Sequence, residues 1–141
     1  MLKVTPLTPS IGALISKVSL NKDLNSGTIE QIYSALIKHQ VIFFRDQNIS
    51  PESHLKLAES LGEIDPGHPV YPHVEGHQSI VLLKNDENNR PDTNDWHKDL
   101  TFKPNPPFAS ILHGVKVPKV GGDTLWASMS AAYDKLPNGW K

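Results

Sequence analysis

The chain has no cysteine among its 141 residues. That excludes a disulfide framework and a thiolate metal site, so any metal must be held by nitrogen and oxygen, a donor set suited to iron, manganese or zinc. It also has no run of the ~18 consecutive apolar residues that a membrane-crossing helix needs. The opening Met1-Leu2-Lys3-Val4-Thr5-Pro6 has neither the apolar stretch nor the small-residue cleavage site of a secretory signal. An excess of one charge is missing too: 14 basic residues face 15 acidic ones, and no Lys/Arg cluster marks a nucleic-acid or anionic-membrane footprint. These absences favour a cytoplasmic protein with a small-molecule ligand, contacting no nucleic acid and no membrane. What is present, 38% apolar residues, is enough for one modest core.

Local patterns divide the chain into helices early and strands late. Residues 1 to 20 mix β-branched residues with Pro6, Pro9 and Gly12, which predicts two short strands around a turn at Thr8-Pro9-Ser10. From Thr28, the residues Ile29, Ile32, Tyr33, Leu36 and Ile37 recur at helical spacing, and Thr28 with Gln31 forms a capping-box pair. Val41-Ile42-Phe43-Phe44 is a continuous apolar run, as expected of a strand buried on both faces. Ser50 before Pro51 is a helix start, Leu55, Ala58 and Leu61 form a stripe, and Gly62 is a stop. Ser79 to Leu83, Ala109 to Val117 and Asp123 to Ala127 have strand composition, and Ser128 to Leu136 has helix composition. The fold class is α+β. A jelly roll takes about eight strands in two sheets, and about half that number can be counted after residue 64. The expectation is therefore an incomplete double-stranded β-helix (jelly roll) with N-terminal helices packed against it.

Trp96-His97-Lys98-Asp99-Leu100-Thr101-Phe102 carries the most chemistry. In an extended segment, side chains two residues apart share a face and sit about 6 to 7 Å apart along the chain. His97 and Asp99 then converge with Lys98 opposite, and an imidazole beside a carboxylate can chelate a metal as part of a 2-His-1-carboxylate triad. An isolated His-x-Asp is equally a surface ion pair. Gly121-Gly122 permits a tight turn, after which the Thr124 hydroxyl can donate to a carboxylate. His68 and Tyr71 carry donors that suit an acceptor-only anion, although a capped loop with an aromatic plug would look the same. His39 and His54 are placed in helices, His73 and His77 in a loop and His113 in an apolar strand, so none of them is a candidate third ligand.

The run from Trp96 to Phe102 is followed by Pro106-Pro107, Gly121-Gly122-Asp123-Thr124-Leu125-Trp126 and Ala131-Ala132-Tyr133, and preceded by His39 to Gln47 and His68-Pro69-Val70-Tyr71-Pro72-His73. In order and spacing, over essentially the whole chain, these stretches resemble the taurine dioxygenase family of iron(II)/2-oxoglutarate-dependent dioxygenases. The resemblance implies that His97 and Asp99 bind iron(II), that Thr124 binds the carboxylate of 2-oxoglutarate, and that His68 and Tyr71 reach the substrate sulfonate. It implies hydroxylation of a small sulfonate such as taurine by dioxygen, releasing sulfite and an aldehyde, with succinate and carbon dioxide as co-products. Alkyl sulfates and aryloxyacetates are the nearest substrate alternatives.

Two positions depart from the family's pattern. Thr93, with Asn94 beside it, stands where taurine enzymes place a substrate-contacting asparagine, and Lys98 replaces a small hydroxyl residue. The family's second metal histidine and its anion-gripping arginines belong to a C-terminal half that this sequence does not contain. Residues 1–141 are accordingly expected to be the N-terminal portion of a single dioxygenase domain, inactive alone. The alternative is a truncated, catalytically inactive remnant or anion-binding fragment. Self-association into a homo-oligomer is left open.

Overall fold

The computed structural model describes residues 1–67, 70–88 and 95–141. In chain order its elements are β1 (Lys3–Pro6), β2 (Ala13–Ser16), α1 (Ser26–His39), β3 (Ile42–Phe44), α2 (Pro51–Leu61), β4 (His73–Val74), β5 (His77–Val81), α3 (Met129–Asp134) and a closing 3-10 turn (Asn138–Trp140). They fall into two compact units, one of Met1–Ile49 with Gly114–Lys141 and one of Ser50–His113.

In the first unit the expected pair of strands forms. Thr8 turns the chain, its hydroxyl accepting from the Ile11 amide at 3.0 Å. β1 then runs antiparallel to β2 from Lys3↔Ser16 to Pro6↔Ala13. β3 pairs parallel with β2, Ala13 opposite Ile42, after the chain has crossed over through α1. Alternation along β2 places Ala13 and Ile15 on one face, and both are buried, Ile15 to 2% exposure. Ile32 and Ala35, one turn apart on α1, are the helix's buried stripe. Burying side chains such as Ile15 and Ile32 contributes about 1.5–3 kcal/mol each. Gln47 stitches the polar backbone nearby: its side-chain oxygen accepts from Leu20 N–H at 2.9 Å while its amide donates to the Arg45 carbonyl at 2.9 Å.

In the second unit Ser50 caps α2 by accepting from the Ser53 amide at 3.2 Å, with Pro51 in the first turn, where a missing N–H costs nothing. β4 and β5 form a hairpin, Val74 opposite His77, whose turn uses Gly76 at φ +77°. The Pro72 carbonyl accepts from Leu82 N–H at 2.7 Å and extends the pairing by one bond.

Several expectations are corrected. The cap of α1 is Asn25, whose side chain accepts from Thr28 N–H at 2.8 Å, and Gln31 donates to the Gly27 carbonyl instead of completing a box at Thr28. β3 is half-buried along its whole length, so it is not fully covered on both faces here. On α2 the buried residue is Leu57, with Leu55, Ala58 and Leu61 half-buried beside it. The strand expected at 79–83 is β5, two residues earlier, and His73 and His77 lie in strands rather than a loop. Residues 109–117 and 123–127 join no ladder among the described residues, because apolar, β-branched composition makes a strand only where a partner supplies the other half of each hydrogen bond. The last helix forms as expected, capped by Ser128. Small sheets with helices make the chain α+β.

Candidate functional site

In the second unit the segment from Asp95 to Leu100 belongs to no helix or ladder, and its side chains are arranged by local hydrogen bonds. His97 Nδ1 lies 2.9 Å from the Asp95 carbonyl oxygen. A carbonyl can only accept, so Nδ1 is the ring nitrogen that donates, and in the neutral imidazole Nε2 then presents a lone pair. Nε2 faces Asp99 Oδ1 at 3.2 Å. Two acceptors at that distance repel unless a cation lies between or beside them, either a proton on the ring or a metal ion. Ligand atoms at about 2.1 Å from an ion in neighbouring octahedral positions stand about 3.0 Å apart. The 3.2 Å separation fits that requirement. Donation of the other ring nitrogen to a carbonyl is also the usual way a metal-binding histidine is oriented. The pair is open to solvent, His97 55% and Asp99 66% exposed, so an incoming ion has access. Directly after it, Leu100 has φ +47°, a left-handed conformation costing a branched residue about 1–2 kcal/mol. It is held by a turn in which Lys103 N–H donates to the Leu100 carbonyl at 3.1 Å.

Tyr71 lies half-buried next to Pro72, whose carbonyl is tied to the end of β5. His68, Thr93 and Asn94 lie outside the described residues. Thr124 belongs to the first unit and is exposed. Before it, Gly121 and Gly122 have φ +77° and +70°, and a Cβ on Gly122 would stand 3.1 Å from Pro118 Cγ, so the tight turn expected there is present. Among the described residues no group of three His, Cys, Asp or Glu gathers to hold a metal.

Two further charged residues of the second unit had no sequence signal. Asp65 Oδ1 accepts from Gly67 N–H at 3.3 Å, while its Oδ2 pairs with Lys103 Nζ at 3.0 Å. His54 and His113 meet edge to face at 6.4 Å, and His54 Nε2 lies 3.1 Å from the Ile111 carbonyl. Burial pushes the His54 imidazole below its ordinary range; the Ile111 carbonyl opposes this and the charge of His113 adds to it. His77 pairs with Glu52 at 3.2 Å. The Glu52 carboxyl is held below its usual range first by its own backbone N–H, then by the Ser50 hydroxyl, with His77 contributing less.

The profile of the taurine catabolism dioxygenase TauD, TfdA family matches residues 3–140. The chain belongs to that family. It is 43% identical over 137 residues to an alpha-ketoglutarate-dependent sulfate ester dioxygenase of Pseudomonas putida, covering 96% of this chain and 44% of the relative. It is 39% identical over 137 residues to an alkylsulfatase of Acinetobacter baylyi, covering 96% and 42%. Among solved structures, a taurine dioxygenase from Burkholderia xenovorans superposes with a TM-score of 0.85 at 40% identity, over 99% of this chain and 49% of that one. The chain spans about half the length of the curated relatives it matches. This is an enzyme family, and 2-oxoglutarate dependence is in the name of the Pseudomonas relative.

Proposed function

We propose that this protein is part of an iron(II)- and 2-oxoglutarate-dependent oxygenase that cleaves a small organosulfur anion by hydroxylating the carbon next to its sulfur-bearing group. The observation that carries the reading is the His97–Asp99 pair, an imidazole Nε2 3.2 Å from a carboxylate oxygen with Nδ1 2.9 Å from the Asp95 carbonyl oxygen. Residues 1–141 would be the N-terminal portion of one dioxygenase domain of jelly-roll type. The family profile and the 0.85 superposition support that assignment.

In this reading His97 Nε2 and Asp99 hold iron(II), and the Asp95 carbonyl keeps the imidazole turned for that purpose. When bound, the iron supplies dioxygen activation coupled to decarboxylation of 2-oxoglutarate to succinate and carbon dioxide. The Thr124 hydroxyl donates to a 2-oxoglutarate carboxylate at the end of the Gly121-Gly122 turn. His68 and Tyr71 donate to the substrate's sulfur-bound oxygens, fixing the reacting carbon by its charged end; holding a reactant in place is worth several powers of ten in rate. Hydroxylation at that carbon gives an unstable adduct that collapses to an aldehyde, expelling sulfate from a sulfate ester or sulfite from a sulfonate.

Identities of 43% and 39% to a sulfate ester dioxygenase and an alkylsulfatase favour a sulfate ester over taurine. The chemistry is that of a soluble cytoplasmic enzyme, and no described helix is long and apolar enough to cross a membrane. The test gives iron(II), ascorbate and 2-oxoglutarate, with a medium-chain alkyl sulfate, taurine or an aryloxyacetate, to residues 1–141 alone and to a form extended by the C-terminal half of the domain, and measures succinate together with sulfate, sulfite or phenol. Succinate matched by sulfate from the extended form, and none from residues 1–141 alone, is the expected result. No coupled product from the extended form with any of the three would refute the oxygenase reading and favour an inactive anion-binding fragment.

A further inference from the structure

We propose that Asp65 is a positioning residue that braces the turn leading into the substrate-anion contacts against the loop that carries His97 and Asp99, acting through Gly67 on one side and Lys103 on the other. The inference rests on the roles proposed above for His68, Tyr71, His97 and Asp99.

The two oxygens of Asp65 serve different segments. Oδ1 accepts from Gly67 N–H at 3.3 Å, a local turn that shapes the chain immediately before His68 in sequence. Oδ2 takes the Lys103 ammonium at 3.0 Å, across 38 residues of sequence. Lys103 in turn closes the Leu100–Lys103 turn through its own N–H, and Leu100, in its left-handed conformation, follows Asp99 directly. Gly67 is seated with equal tightness on its other side. At φ +101°, a Cβ there would lie 2.6 Å from the Gln78 carbonyl oxygen on β5 and 3.2 Å from the His73 ring on β4. Gly67 therefore packs directly on the β4–β5 hairpin, and the Asp65 ion pair ties the same turn to the metal-ligand loop. A surface pair of this kind, its side chains 39% and 40% exposed, adds little to global stability. Its position makes it suited to fixing one loop relative to another, where small displacements of reacting groups cost large factors in rate.

The brace predicts reciprocity. Lys103→Met removes the ammonium and leaves Asp65 and Gly67 intact, yet amide hydrogen exchange at Asp65 and Gly67 should accelerate about two- to fivefold. Asp65→Ala should accelerate exchange in residues 97–103 to a similar extent. Asp65→Asn keeps one acceptor for Gly67 and, if Asp65→Ala folds poorly, replaces it. Reversing the pair as Asp65→Lys with Lys103→Asp should restore exchange in the 97–103 loop, which a merely space-filling role would not do. In turnover by the extended form, Lys103→Met should raise KM for the anionic substrate about threefold or more, with kcat held within about twofold. Acceleration confined in each variant to the mutated residue's own segment would overturn the brace. Absence of turnover in the unmutated extended form would sink the proposed reaction and leave the exchange comparison to decide the brace.

Discussion

Three glycines of the second unit separate two costs that are usually confounded, and Gly67→Ala is the decisive substitution. Alanine at φ +101° enters a region that L side chains rarely adopt, a cost of about 1–3 kcal/mol. Its Cβ would also stand 2.6 Å from the Gln78 carbonyl oxygen, which is backbone of β5 and cannot swing aside as a flexible side chain would. Relieving that approach displaces the strand or the turn, and overpacking of this kind typically adds about 1–3 kcal/mol. The sum is about 2–6 kcal/mol, toward the lower end once the chain relaxes. Gly76→Ala carries the conformational part alone, since φ is +77° and nothing lies within 4 Å, and should cost about 1 kcal/mol. Gly62→Ala carries neither: φ is 169°, extended backbone, with nothing within 4 Å, so the change should be neutral or stabilising by a few tenths of a kcal/mol. Urea denaturation followed by circular dichroism ranks the three. If Gly67→Ala lost less stability than Gly76→Ala, the close approach of the turn to β5 would be wrong, and with it the seat on which the anion-contact residues are proposed to stand.

Other perturbations follow from the same geometry. His97→Ala should weaken binding of Mn(II), a probe more stable in air than iron(II), by at least about 10-fold in a titration calorimeter, and Asp99→Ala likewise; unchanged affinity in either variant would remove the metal-site reading. Ser50→Ala should cost about 0.5–2 kcal/mol in denaturation, because the Ser53 amide at the start of α2 loses its acceptor. Burial lowers the His54 pKa from 6.5, so between the folded value and 6.5 the unfolded chain binds more protons than the folded one. Its contribution to stability is therefore complete above 6.5 and is lost as pH falls through that window. Replacing His54 with Gln should flatten the slope of denaturation midpoint against pH in that range, and an unchanged slope would refute the assignment.

What could be read directly from the sequence was what depends on near neighbours. Ser50-Pro51 and Gly62 bracket α2 because a cap and a stop act within one turn, and the structure places the helix between them. Even locally the reading errs where two caps compete: Asn25 captures the Thr28 amide, so α1 starts two residues before Thr28. Strands at 109–117 and 123–127 were beyond its reach for a different reason. Their residues have the shape for a pleated surface, but a ladder is a relation between two segments, and no described segment supplies the other half. Leu57 was missed because helical spacing finds a stripe, while which of its members is buried depends on the angle at which the helix meets its neighbours.

The site divides along the same line. The spacing of His97 and Asp99 drew attention to them as a pair, and the structure brings them to 3.2 Å, but in an irregular segment rather than in the strand the spacing argument assumed. The group that makes Nε2 available, the Asp95 carbonyl, is backbone, and a backbone acceptor leaves no mark in the amino-acid sequence. Asp65 and Lys103 are legible as residues but not as a pair, since nothing local distinguishes them from other charged loop positions until folding brings them within 3.0 Å. The side chains proposed to touch metal and substrate are thus the ones a short motif can announce. The groups that aim and brace them, a carbonyl two residues back and an ion pair across 38 residues, become visible only when the chain is folded. A variant that keeps every motif residue can therefore still loosen the site, and Lys103→Met is the substitution in which that separation is cleanest.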